Sequence, residues 1–189
     1  MQHRKLRRLI FMALCCVFGL FTKRLIAPAA NILTDSFHIP GGIGTAFSLL
    51  FLVVAAALFQ RFGTASAMGA VQSVLALAMG MVGSMGALAP LGYIVPGLVI
   101  DVVLWLSRHI ALPDALSIML TNMLASLSAC LVANAVVFRL TGVPLALYGT
   151  VALFSGAVCG LLAGQLYSRV SSLLRKESRK DGTSYEKAV

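Results

Sequence analysis

Asp101 is the acidic residue that the sequence places inside a long apolar stretch, LGYIVPGLVIDVVLWL. A charged carboxylate at the centre of a membrane-spanning helix costs about 2.5 to 3.5 kcal/mol, so it requires a partner, water or a ligand. Counted from Leu91 at about 1.5 Å per residue, Asp101 lies roughly 15 Å into the stretch. It is therefore predicted to contact a ligand, or alternatively to link two helices by accepting hydrogen bonds from hydroxyl or amide groups.

Other polar side chains are expected at matching depths in the neighbouring apolar stretches. Gln72 and Asn122 should reach the depth of Asp101. Four more are expected nearer the outer surface: Tyr93, Ser84, Asn134 and Tyr148. Because polar groups inside a membrane are costly unless they serve a partner or a ligand, this set predicts a substrate-binding cavity that opens outward.

The connection from about residue 27 to residue 44 is long for so compact a chain, and long loops are often functional. It contains Asn31, Asp35 and His38, and it is predicted to close over the cavity as a lid. Asp35 and His38 alone are too few ligands for a metal site, so no metal is predicted.

Catalytic motifs are missing from the sequence. It contains no nucleotide-binding P-loop, no HExxH metalloprotease motif and no GxSxG nucleophile elbow. A proton relay within a membrane normally needs more than one acidic group, and Asp101 stands alone in the apolar stretches. The four cysteines show no spacing typical of a zinc site. We therefore expect neither an enzyme nor a bound cofactor, since catalysis would have to use Asp101 with few helpers.

Composition indicates the elements that position these residues. Of the 189 residues, 59% are hydrophobic and 11% are charged, and the mean hydropathy of +0.94 is far above that of a soluble domain. Segments near the spanning length of about 20 residues predict an all-α bundle of six transmembrane helices. The predicted spans are residues 9–21, extending with a kink toward residue 33, then 42–59, 65–88, 91–106, 115–138 and 144–167. They form one membrane domain, residues 1–170, followed by a basic and flexible cytoplasmic tail, residues 171–189.

The positions of the basic residues predict the orientation, because Lys and Arg are retained on the cytoplasmic side during insertion. With both termini cytoplasmic, twelve of the 15 basic residues lie inside, and only Lys23, Arg24 and Arg139 lie outside. The alternative is a cleaved signal peptide at the N-terminus, but cleavage would leave five spans and oppose this distribution. The basic ends predict contact with anionic lipid headgroups rather than with nucleic acid.

Gly156, Gly160 and Gly164 recur at every fourth position of GAVCGLLAG, so they share one helix face. Small residues let helix backbones approach closely inside a membrane. This stripe predicts tight packing against another helix of the same chain, or alternatively against a partner subunit.

Two stretches carry a resemblance to a known family: MGAVQSVLALAMGMVGSMGALAPLGYIVPGLVIDVV and TNMLASLSACLVANAVV. With the length, the six predicted spans, the basic ends and the long first outer connection, they resemble the substrate-binding S components of energy-coupling factor (ECF) transporters. Within that family the chain is most similar to the hydroxymethylpyrimidine and thiamin type. The resemblance implies a subunit that captures a vitamin or vitamin precursor from outside, while a transmembrane coupling subunit and two ATPase subunits supply the energy.

The resemblance also implies a substrate near the outer side, beneath the first loop. The matching positions are Tyr93, Asp101, Asn122, Asn134 and Tyr148. A carboxylate at Asp101 would suit a cationic or amino-bearing ring. Many family members dock to the coupling subunit through two alanines four residues apart on the first helix, and here these positions are Ala13 and Val17. That departure leaves open whether the coupling subunit is shared or dedicated.

We therefore predict a multi-pass protein of the prokaryotic plasma membrane that binds a vitamin-sized solute. The alternative is a membrane scaffold or assembly protein without a small-molecule ligand. Copurification with ATPase subunits would favour the first function over the second.

Overall fold

The computed structural model describes residues 2–37, 43–80, 88–137, 139 and 141–186, and within these ranges the regular structure is entirely helical. The helices are α1 (Gln2–Phe37), α2 (Ile43–Phe59), α3 (Thr64–Ala78), α4 (Leu91–His109), α5 (Asp114–Leu131) and α6 (Val143–Glu186). A π-helical segment, Val132–Val137, extends α5. The prediction of an all-α fold is confirmed for the described residues.

Four of these helices are long and apolar enough to cross a membrane. The apolar windows are Leu9–Ile26, Leu91–His109, Asp114–Ala135 and Val143–Leu174. The helices α2 and α3 are also apolar but have only 17 and 15 residues. At about 1.5 Å per residue, α3 covers roughly 22 Å, which is less than the roughly 30 Å of a bilayer's hydrocarbon core.

The predicted loop after residue 27 was wrong, because α1 continues as helix to Phe37. Asn31 and Asp35, which were predicted to belong to a lid, therefore lie on the helical backbone, while His38 falls outside the described residues. Pro28 does not end the helix here. Of the nine residues from 29 to 37, three are strong helix formers, Ala29, Ala30 and Leu33, so intrinsic propensity does not explain why the helix continues.

The predicted third span was too long, since α3 ends at Ala78 instead of residue 88. Gly80 has a φ of +67°, and a left-handed glycine directly after a helix is a common way to terminate it. At the other end of the chain, α6 continues as helix through most of the predicted tail. The flexibility of that tail stays a prediction.

The helix α2 lies at the centre of the bundle, in contact with α1, α3, α4, α5 and α6. Its central residues, including Leu52, Val53 and Ala55, are almost completely buried and form the middle of the main hydrophobic core. We call the end of the bundle near Gln60 and Arg108 the proximal end. The opposite end, where α3 ends and α4 begins, is the distal end.

The glycine stripe of α6 packs against α5 within the same chain. A Cβ atom at Gly156 would lie 2.9 Å from Met123 Cα, and one at Gly160 would lie 2.7 Å from Met119 Cα. Gly164 is looser, since its Cβ would be 3.8 Å from the nearest atom of α5. The two helices therefore touch through their backbones, as small residues allow inside a membrane.

Candidate functional site

The Asp101 carboxylate lies at the N-terminus of α3. Its Oδ1 atom accepts a hydrogen bond from the Ala65 N–H at 3.1 Å. Its Oδ2 atom accepts one from the Ser66 N–H at 2.8 Å and another from the Ser66 hydroxyl. The first N–H groups of a helix have no partner within the helix, and a negative charge there is favoured by the helix dipole. Because α3 has Gly63 at its own N-cap position, Asp101 supplies the cap from α4.

Two glycines bring α3 and α4 close enough for this contact. A Cβ atom at Gly97 would lie 2.7 Å from the Ala65 carbonyl oxygen, and one at Gly69 would lie 2.6 Å from the Tyr93 carbonyl oxygen. Asp101 follows Gly97 by one helical turn, so its side chain reaches just past the start of α3. These contacts match the link between helices that the sequence offered as an alternative. Ligand binding by Asp101 stays a prediction.

Gln72 and Asn122 also form links between helices. The Gln72 amide donates to the Cys16 carbonyl of α1 at 3.1 Å, and the Asn122 amide donates to the Gly156 carbonyl of α6 at 2.8 Å. The Asn122 Oδ1 and Ser126 Oγ atoms are buried and have no hydrogen-bond partner within the described part of the chain. The middle of the α5–α6 contact thus holds two polar atoms with unused hydrogen-bonding capacity.

The remaining predicted ligand side chains lie elsewhere. Asn134 belongs to the π-helical segment and donates to the Cys130 carbonyl at 3.0 Å, within the same segment of chain. Tyr148 is half-buried near the start of α6, and Ser84 falls outside the described residues. The structure therefore distributes the described members of the predicted set over several helix contacts instead of bringing them into one cavity.

Tyr93 has a partner that the sequence did not suggest. The Lys23 ammonium group of α1 donates to the Tyr93 hydroxyl at 3.1 Å and lies 4.3 Å from the centre of its ring. A cation over an aromatic face gains electrostatic attraction from the ring in addition to the hydrogen bond. We call Lys23 and Tyr93 the distal pair. Tyr93 also belongs to a small hydrophobic cluster with Leu20, Ala76 and Leu75, separate from the main core.

Helical periodicity was the signal that could have located Lys23. It follows Cys16 and Leu20 by seven and three residues, and both are buried, so the three share the inner face of α1. Arg24 is the next residue and is exposed, on the same side as Val17 and Phe21. The sequence predicted only that both cations lie outside, after the first span. The helix instead separates one inward cation from one outward cation.

Two depressions of the described part of the protein are lined by none of the residues predicted to bind substrate. A polar cavity of about 100 Å³ at the proximal end is lined by residues that include Gln60, Arg108, Asp114 and Tyr167. Arg108 partly closes it by donating to the Gln60 carbonyl at 2.7 Å. This volume suits a few water molecules and is below the usual size of small-molecule sites. A shallow apolar groove of about 380 Å³ runs between α2 and α6, along Phe47 and Phe154.

The chain matches no protein-family model, no curated protein and no solved structure. Function must therefore be argued from the chemistry of the described residues. Among them, no group of three or more His, Cys, Asp and Glu side chains is arranged to hold a metal ion.

The predicted docking positions lie on the outer face of α1. Ala13 and Val17 are both exposed, and Val17 is 57% accessible. The same face carries several other exposed apolar side chains: Ile10, Leu14, Phe18 and Phe21. This surface is available to lipid or to another membrane subunit.

Proposed function

We propose that this protein is the solute-binding membrane subunit of an ECF-type importer, and that it captures a vitamin or vitamin precursor. The observation that carries the proposal is the distal pair, in which an ammonium group within an apolar window turns inward onto Tyr93. Ionisable groups inside spans are rare and usually functional. A polar site at one end of a membrane bundle is what a capture subunit requires.

The distribution of basic residues supports the orientation needed for uptake. Arg61 and Arg108 lie at the proximal end, where α1 also begins with four basic residues and α6 carries five more between Arg169 and Lys180, whereas Lys23, Arg24 and Arg139 are the basic residues nearest the distal end. By the positive-inside rule, the proximal end then faces the cytoplasm and the distal end faces outward. In this arrangement α2 and α3 complete six spans, both termini are cytoplasmic, and the protein is a multi-pass component of a prokaryotic plasma membrane.

The outer face of α1 supports a role for partner subunits. A capture subunit without a nucleotide-binding motif needs a coupling subunit and two ATPases to drive release. Ala13 provides a small residue on an exposed apolar helix face, and close helix packing in membranes favours such positions. We propose that this face docks to the transmembrane coupling subunit through Ala13 and Val17.

Native mass spectrometry of the detergent-purified protein tests the proposal. The spectrum is first searched for a copurified small molecule, and then recorded with thiamin, hydroxymethylpyrimidine and riboflavin. A bound vitamin-sized solute in a one-to-one complex is the expected result. A protein that is folded but binds no solute from this set or from a cell extract would contradict a capture function.

A membrane scaffold is the second candidate, and one specific observation favours it. Gln72, Asp101 and Asn122 are engaged in hydrogen bonds between helices, as expected of a bundle that needs no ligand. Copurification separates the two functions. A capture subunit should bring down ATPase subunits, whereas a scaffold should bring down other membrane proteins without them.

A further inference from the structure

The distal pair has hydrogen-bonding capacity that the described residues do not use. A lysine ammonium group has three N–H donors and no acceptor. One N–H donor of Lys23 bonds to the Tyr93 hydroxyl, and the positive charge is also attracted to the face of the Tyr93 ring. A phenol is a neutral partner, so the positive charge itself is not neutralised by this contact.

In the part of the chain that the structure describes, the helix backbones place each acidic residue away from Lys23. Of its six acidic residues, Asp101 caps α3 and Asp114 lies at the proximal cavity. Asp35 follows Lys23 by twelve residues on the same helix, which separates them by roughly 18 Å along the axis. The other three lie toward the C-terminus of α6, beyond the proximal end: Glu177, Asp181 and Glu186.

We infer that the distal pair binds an anionic oxygen group, either a carboxylate or a phosphate, carried by the captured solute. This inference rests on the proposed function and names the chemical class of its substrate. The ammonium group supplies charge and two N–H donors that no described residue uses. Charge-assisted hydrogen bonds to such oxygens are among the strongest in proteins. The Tyr93 hydroxyl, which accepts from Lys23, can donate its own proton to the same group.

The surroundings of the pair suit the remainder of such a solute. Tyr93 packs with Leu20, Ala76 and Leu75; Leu20 and Ala76 are buried, and Leu75 is the partly exposed apolar side chain that the body of a solute can contact. Asp101 does not face a solute at this end, because it is 3% exposed and its oxygens are directed at the first turn of α3. The arrangement therefore selects an anionic head with an apolar body, in contrast to the cationic ring that the family resemblance implied.

Matched pairs of probes test the charge directly. Binding to the protein in dodecylmaltoside, a detergent without phosphate, is measured for biotin against biotinamide and for thiamin monophosphate against thiamin. The anionic member of at least one pair should bind more tightly by about ten- to a hundredfold, the usual loss when a charged hydrogen bond is removed. Inorganic phosphate should also raise the melting temperature of the wild-type protein.

Neighbouring variants provide the controls. Lys23→Gln should abolish both the preference for the anionic probe and the stabilisation by phosphate, while Lys23→Arg should retain them. Arg24→Gln removes the same charge from the outward face and should change neither. Size-exclusion profiles and melting temperatures of the unliganded variants establish that each is folded.

The outcomes separate the inference from the proposed function. Neutral or cationic solutes that bind equally well to wild type and Lys23→Gln would support the capture function and overturn the anion site. A phospholipid that copurifies with wild type and is lost in Lys23→Gln would support the anion site with a lipid phosphate as its ligand, and would contradict solute capture. No difference between wild type and Lys23→Gln with any anion overturns the inference.

Discussion

Asp101 and Lys23 are both charged residues in apolar helices, yet their surroundings differ. Asp101 is 3% exposed and accepts three hydrogen bonds from the first turn of α3. Lys23 is half-buried, and its hydrogen-bond partner among the described residues is one neutral side chain, Tyr93. The Asp101 carboxylate accepts hydrogen bonds at both oxygens, whereas two of the three Lys23 donors have no partner among the described residues.

The difference follows from how closely the helix backbones approach. At the α3–α4 contact, Gly69 and Gly97 allow backbone atoms to touch, so Asp101 reaches backbone N–H groups directly. At the distal end, α1 meets α4 through side chains: Lys23 donates to the Tyr93 hydroxyl, and Leu20 belongs to the same hydrophobic cluster as Tyr93. Where glycines bring two helix backbones together, a polar side chain forms hydrogen bonds within the protein. Where two helices meet through side chains, a polar side chain can keep donors for a ligand.

The largest effect is expected from widening the tight contact. In Gly97→Val, the new side chain would overlap the Ala65 carbonyl, which belongs to the backbone and cannot move away alone. Overpacking of this kind costs about 3 kcal/mol, and separating α3 from α4 also removes the Asp101 cap. We expect little folded monomer by fluorescence-detected size-exclusion chromatography. A well-folded Gly97→Val protein would show that the α3–α4 contact is not as close as described.

The α5–α6 contact offers a matched pair of smaller changes. Gly160→Ala places a methyl group 2.7 Å from Met119 Cα and should destabilise by about 2 kcal/mol. Gly164→Ala meets only an ordinary contact at 3.8 Å, so its better helix propensity should stabilise by up to about 1 kcal/mol. Melting temperatures in detergent should move in opposite directions. Equal shifts would mean that the stripe does not pack as the structure has it.

Asp101→Asn tests whether the engaged charge is structural. The amide retains one acceptor oxygen, so one of the two backbone donors of α3 loses its partner, at a cost of about 1 to 2 kcal/mol. The melting temperature should fall while the solute affinity of the folded protein changes less than twofold. A loss of affinity of tenfold or more at an unchanged melting temperature would instead assign Asp101 to the ligand and reverse the comparison.

The smallest effect on stability is expected at the distal pair. Lys23→Gln keeps a donor for the Tyr93 hydroxyl and removes only a partly exposed charge, so the free energy of unfolding should change by less than about 1 kcal/mol. Thermal denaturation of Lys23→Gln beside Arg24→Gln measures this. A large loss confined to Lys23→Gln would make the pair a structural contact like that of Asp101.

Hydrophobicity and chain punctuation predicted the central helices well. The bounds of three predicted spans are correct to within a few residues. They are 42–59 for α2, 91–106 for α4, and 115–138 for α5 together with its π-helical extension. Each is bounded by a polar residue, a proline or a glycine that stops an apolar run. The end of α3 was missed because an apolar sequence continues past Gly80, and only the backbone conformation of that glycine ends the helix.

The contacts of the polar side chains could not be predicted in the same way. Asp101 binds a helix start 35 residues earlier in the chain, and no periodicity within α4 indicates that neighbour. The predicted depth of each polar residue came from counting residues along its own helix. The structure places the first turn of α3 level with Asp101, which lies partway along α4, and not level with the proximal end of α4. The inward position of Lys23, in contrast, is readable from the helical phase of α1.

The cap that Asp101 places on α3 has a consequence for how the chain enters the bilayer during synthesis. The helix α3 emerges from the ribosome before α4, with its first N–H groups lacking the acceptor that arrives some 35 residues later. In hydrocarbon each such group costs several kcal/mol, and α3 is itself short for a bilayer. The two helices are thus expected to leave the translocon together as a hairpin, and a nascent chain halted before Asp101 should hold α3 at the membrane surface.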